Sequence, residues 1–83
     1  MRRKTLLPPP PSEGPLPRLP SPVVRIRLRE QMGVSQREAA EQTGVSKNSY
    51  GMWERGDRDP RPQHARAYYS QLYGWQQAIE GER

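Results

Sequence analysis

The run QREAAEQTGVSKNSYGMWERG, residues 36–56, carries the residue types that two short helices joined by a tight turn require, in the places that require them. Counting Gln36 as the first place, the fifth is Ala40, where the helices cross and a large side chain would hold them apart. The ninth is Gly44, where the chain reverses and a residue free to take positive φ costs least. The eleventh, Ser46, can accept a backbone N–H at the start of the second helix. Val45, Tyr50 and Trp53, at the tenth, fifteenth and eighteenth places, are apolar or aromatic and would close a core beneath the pair.

Punctuation on either side extends the reading. Ser35 and Glu38 have capping-box spacing and fix the start of a helix that runs to about Gln42. The helix after Ser46 reaches about Arg55, and Gly56 stops it. Upstream, Ser21 suits an N-cap and Pro22 a first helical position. VVRIRLREQM then places Val24, Leu28 and Gln31 or Met32 on one face, ending at Gly33. The alternation in VRIRLR also suits a strand, but no second strand exists to pair with it. Downstream, the loop DRDPR leads to a helix QHARAYYSQL with Ala65, Tyr68, Tyr69 and Leu72 inward, and a short fifth helix WQQAIE tucks in Trp75 and Ile79 or Ala78. The expected fold is all-α, a compact bundle of about five short helices over residues 21–83.

Residues 1–20 belong to a different regime. They hold seven of the ten prolines and a charge of +3, from Arg2, Arg3, Lys4 and Arg18 against Glu13. Such a segment makes neither a helix nor a ladder, and the expectation is a disordered or polyproline II, basic, flexible arm. It could follow a nucleic-acid backbone, dock on an aromatic groove of a protein partner, or be an idle terminus. MRRKTLL opens like a signal peptide, but prolines 8 to 11 end its apolar run, so the cell interior is the expected compartment and no membrane span is expected.

The net charge of +5 over 83 residues, with a pI near 10.2, suits an anionic partner or simply keeps a small protein soluble. With no Cys and a single His, neither a disulfide framework nor a metal site is expected. One His, no glycine-rich phosphate loop and no paired acids argue against an enzyme, and no cofactor is expected.

GVSQREAA, TGVSKNSYGMWERG and the segment from Pro60 to Leu72 together resemble the Cro and lambda-repressor (XRE-type) helix-turn-helix family. The likeness covers about residues 24 to 75. It includes Ser35-Gln36 before the second helix, Glu54-Arg55-Gly56 after the third, and Pro60 in the loop. The resemblance implies double-stranded DNA as partner, with Lys47, Asn48, Ser49 and Met52 facing the base edges. Gln36 would hold a phosphate and brace the reading helix. Arg55, Arg58 and Arg61 would run along the backbone, with Ser35 and Arg37 beside them. Arg29 and Glu54 match a pair that forms a partly buried salt bridge. By analogy, the fifth helix with Trp75 and Ile79 would be the surface of a homodimer on a palindromic operator.

Physical chemistry supports this division of labour on its own terms. A helix's first turn offers free N–H groups and a positive dipole end to phosphate. Asn can bond adenine at N6 and N7 together, Lys can reach guanine, and Met can touch a thymine methyl. Taken singly, Arg25, Arg27 and Arg37 read as solvated helix faces, and Ser35 as a cap first. Gly51 inside the third helix is either a close approach of backbone to DNA or a tolerated weakness. The expected function is a small, cytoplasmic phage- or mobile-element-type repressor acting by operator occupancy. The alternative is an antitoxin-like module whose arm wraps a protein partner and which represses its own promoter.

Overall fold

The structure, a computed structural model, describes residues 7–81. Four helices account for its regular backbone: α1 (Pro22–Gln31), α2 (Gln36–Thr43), α3 (Lys47–Arg55) and α4 (Pro62–Gly81). There is no strand among the described residues. α1 packs on α3 and α4, and α2 packs on the same two helices.

The helix boundaries follow the local chemistry. At α2 both halves of the capping box form: Ser35 Oγ accepts from Glu38 N–H at 3.1 Å, and Glu38 Oε1 accepts from Ser35 N–H at 3.0 Å. Gly44 closes α2 in the left-handed region, at φ 78°, where a Cβ would strain the backbone. Ser46 Oγ then accepts from Ser49 N–H at 3.1 Å and opens α3. Ser21 does stand at the N-cap of α1, but its side chain makes no capping bond; Pro22 at the next position already removes one of the unsatisfied donors.

Four helices, rather than about five, correct the sequence expectation. QHARAYYSQL and WQQAIE are one helix of 20 residues that runs straight through Gly74. Tyr68, Tyr69, Leu72, Trp75 and Gln76 are all buried, so the inward stripe continues at three- and four-residue spacing across the glycine. A mid-helix Gly costs about 1 kcal/mol, whereas burying a large apolar side chain stabilises by roughly 1.5–3 kcal/mol. Keeping Trp75 in register therefore outweighs the glycine.

The core is aromatic. Tyr50, Trp53 and Tyr68 form a triangle with ring centroids 5.7, 5.3 and 4.9 Å apart. Ala39 and Ala40 let α2 approach it, and Leu28, Tyr69, Leu72 and Trp75 complete it. Val24 and Met32 pack on its margin with Leu28, the stripe expected of α1.

Residues 7–20 have no helix or strand, in keeping with their prolines, yet they lie on the domain instead of apart from it. Leu7 is buried with the core residues, at 1% exposure, and Leu16 and Leu19 pack half-buried against the same core. The basic residues 2–4 lie outside the described residues. Trp75, expected on a dimer surface, is likewise drawn into the core at 7% exposure, and Ile79 packs against it.

Candidate nucleic-acid interface

The buried carboxylate of Glu54 ties three helices' worth of sequence to one point. Arg29 of α1 grips it with two N–H groups, Nε to Oε2 at 2.5 Å and Nη2 to Oε1 at 3.2 Å. Gln36 Nε2, at the first position of α2, donates to Oε1 at 2.9 Å. Arg29 Nη1 also donates to Val34 O at 2.9 Å, holding the loop between α1 and α2. The hydrogen bond to Glu54 raises the Arg29 pKa although burial opposes it, so the guanidinium stays charged throughout the working range. A carboxylate at 1% exposure needs this full set of donors, because an unpaired buried charge is strongly destabilising.

A second arginine joins the same lock. Arg25 is 8% exposed; its Nη1 donates to Trp53 O at 2.6 Å and its Nε to Pro20 O at 2.8 Å. Reading Arg25 as a solvated face is thus corrected: it caps a carbonyl in the last turn of α3, where a cation also meets the negative end of the helix dipole. The signal was available, since Arg25 and Arg29 stand four apart on one flank of α1. Arg27 and Arg37 are exposed, as expected of solvated faces.

With its inner side fixed, α3 presents its outer side to solvent. Lys47 and Asn48 are exposed and Met52 is half-buried. Ser49, also half-buried, accepts at its hydroxyl from Ser46 Oγ at 3.2 Å, so it is engaged in the cap as well as near the surface. Gln36, Lys47, Asn48, Gly51 and Arg55 line one shallow hollow. Met52, Ser49, Arg58, Arg61 and His64 share another, beside Val45 and Trp53. Of the residues named from sequence, Gln36, Lys47, Asn48 and Arg55 line the first hollow and Ser49, Met52, Arg58 and Arg61 the second, whereas Ser35 and Arg37 line neither.

Gly51 is the partition between packing and surface. It is buried, and a Cβ there would lie 3.3 Å from Arg55 Nη1 and 3.8 Å from Gln36 Nε2. The nearest neighbours of such a Cβ are thus the mobile ends of the two side chains expected at phosphates. Arg55 is also tied through Nε to Asp57 at 2.8 Å, both groups being more than half exposed. Such an exposed pair is worth little to stability and orients the guanidinium more than it neutralises it. Arg58 and Arg61 are exposed in the loop that continues this edge. The first N–H groups of α2, next to Gln36, have no acceptor within their helix.

The geometry is that of two packed helices with Ala40 buried, joined through a left-handed glycine, with the polar side of the second helix turned outward. A family profile described as helix-turn-helix, of the XRE/Cro/C1 type, matches residues 26–70, more than half of the chain. The chain belongs to this helix-turn-helix family. Comparison with curated proteins and with solved structures finds no match. Membership in the helix-turn-helix family implies DNA binding and a role as a transcriptional regulator. No helix among the described residues is long and apolar enough to cross a membrane, and no cluster of three or more acidic or His side chains among them could hold a metal ion.

Proposed function

We propose that this helix-turn-helix protein is a sequence-specific regulator of the small phage or mobile-element repressor type, acting in the cytoplasm by occupying its operator. α3 enters the major groove, with Asn48 and Lys47 reading base edges and Met52 meeting a thymine methyl. Gln36, Arg55, Arg58 and Arg61 hold phosphates, with Ser35 and Arg37 at the same edge. Two copies read two half-sites about one helical turn apart.

The observation that carries this reading is the contrast between the two sides of α3. Beneath, Glu54, Arg29, Gln36 and Arg25 fix its position by charge-assisted hydrogen bonds. Outside, its polar side chains face solvent with cations along both edges. A helix held rigidly while exposing readers suits recognition, because loosely held side chains lose ordering entropy on binding. The antitoxin-like alternative asks the arm to wrap a protein partner, whereas residues 7–14 already hold α4.

Fluorescence anisotropy against DNA from upstream of the protein's own gene, beside a shuffled duplex at low and moderate salt, tests the proposal. The expected result is a preference that survives the higher salt. Asn48→Ala should reduce the specific-to-shuffled ratio by roughly 1–3 kcal/mol. Arg55→Ala should weaken both duplexes alike and flatten the salt slope. Equal binding to both duplexes that vanishes with salt would leave only the basic charge.

A further inference from the structure

The arm is held by α4 side chains that bond its backbone. The N–H of Leu7 donates to Gln76 Oε1 at 3.0 Å, and Gln76 Nε2 donates back to Leu7 O at 3.0 Å. One carboxamide thereby satisfies both backbone groups of a residue, as a neighbouring strand would. Tyr69 Oη donates to Pro8 O at 2.6 Å, and Arg66 donates from Nη1 to Pro11 O at 2.6 Å and from Nη2 to Gly14 O at 3.4 Å. The Leu7 side chain enters the core that also contains Tyr69, Leu72 and Trp75. α4 therefore presents a groove for an extended, proline-rich peptide, with a leucine anchor at one end and an arginine clamp at the other. Proline-rich segments fit such grooves readily because little conformational entropy remains to be lost.

We propose that this groove also takes the arm of a second copy, so that two chains pair by exchanging residues 7–14. The hydrogen bonds that hold these residues all come from α4, at sequence separations of 52 to 69. Only the seven residues 15–21 join the docked peptide to α1, and three of them are prolines. In an extended polyproline form they span about 22 Å. That exceeds the 19 Å shortest dimension of the molecule, so the connection is long enough to reach an adjoining copy. Exchange gives up the half-buried contacts of Leu16 and Leu19 and repeats every groove contact in the partner, the exchange of identical elements that makes such dimers accessible. It also supplies what the Trp75 surface does not, since Trp75 lies inside the core. The inference rests on the dimeric part of the proposed function, and its test contains no DNA, so its failure leaves DNA binding standing.

The test uses full-length chains in analytical ultracentrifugation over a wide concentration range. The wild type should pass reversibly from 9.6 kDa to twice that mass. A synthetic peptide of residues 1–20 in large excess should return it to monomer, and the same peptide carrying Leu7→Ser should not. Leu7→Ser and Gln76→Ala chains, each checked for helical circular dichroism, should be monomeric alone. Mixed, they should form a one-to-one heterodimer, because one retains the groove and the other the arm. A wild type that stays monomeric throughout would overturn the exchange, as would a dimer that ignores excess peptide. The peptide arm of the experiment keeps it decisive if either variant fails to fold.

Discussion

Tyr50 and Tyr68 show how far residue identity alone carries. Both are fully buried, and their rings meet edge to face. Tyr50 Oη donates to Gln71 Oε1 at 2.6 Å, and Gln71 in turn donates to Ala39 O and Gln42 Oε1, linking three helices. Tyr68 Oη is buried with no hydrogen-bond partner among the described residues. Tyr68→Phe should therefore raise stability by about 1 kcal/mol, and Tyr50→Phe should lower it by about 1 kcal/mol, read as opposite shifts in urea midpoint. Sequence places both rings inward but cannot tell these hydroxyls apart, because their partners come from distant helices. Gly51 is a second case. Gly51→Ala should gain up to about 1 kcal/mol of helix stability while displacing the Arg55 guanidinium 3.3 Å away, so melting temperature rises and DNA affinity falls. A stability gain with unchanged affinity would remove the Gly51 hollow from the binding surface.

At the scale of elements, what was legible is what local chemistry dictates. The capping box at Ser35 and Glu38, the left-handed turn at Gly44 and the cap at Ser46 lie within a few residues of one another, and the structure forms each. The Arg29–Glu54 pair, given by the family resemblance, forms as well. What was not legible depends on tertiary packing. Gly74 looks like a boundary, yet α4 continues because Trp75 and Gln76 keep the buried stripe in phase. Proline-rich residues look detached, yet Leu7 anchors them because α4 offers Gln76 to its backbone. Nothing lies within 4 Å of a Cβ built on Gly74, and its φ is not positive. Gly74→Ala should thus stabilise α4 by roughly 0.5–1 kcal/mol, seen as a melting temperature several degrees higher. A lower melting temperature would mean that α4 needs flexibility at this point.

For the whole molecule, an aromatic core in a chain without Phe has a consequence for pH. Burial pushes the phenol pKa values of Tyr50 and Tyr68 well above their ordinary value, since a phenolate would sit unsolvated among rings; the coulombic influence of neighbouring Glu54 acts in the same direction. In the unfolded chain both titrate near 10. Below that pH neither state loses a proton and stability is indifferent to these groups. Above it the unfolded state releases protons that the folded state retains, so the folded state binds more of them and stability falls as pH rises. These two groups alone contribute a slope of up to about 2.7 kcal/mol per pH unit, which is large against a total of roughly 5–15 kcal/mol for a small domain; the buried Tyr69 phenol, whose pKa burial also raises, adds in the same direction. Urea unfolding between pH 8 and 11 should show a plateau followed by a steep decline beginning near 10. Tyr68→Phe should roughly halve the contribution of this pair while leaving the plateau at or above the wild-type level, because it removes one titrating phenol and an unpartnered hydroxyl together. A decline of the same steepness in that variant would place the alkaline sensitivity on groups outside the aromatic triangle.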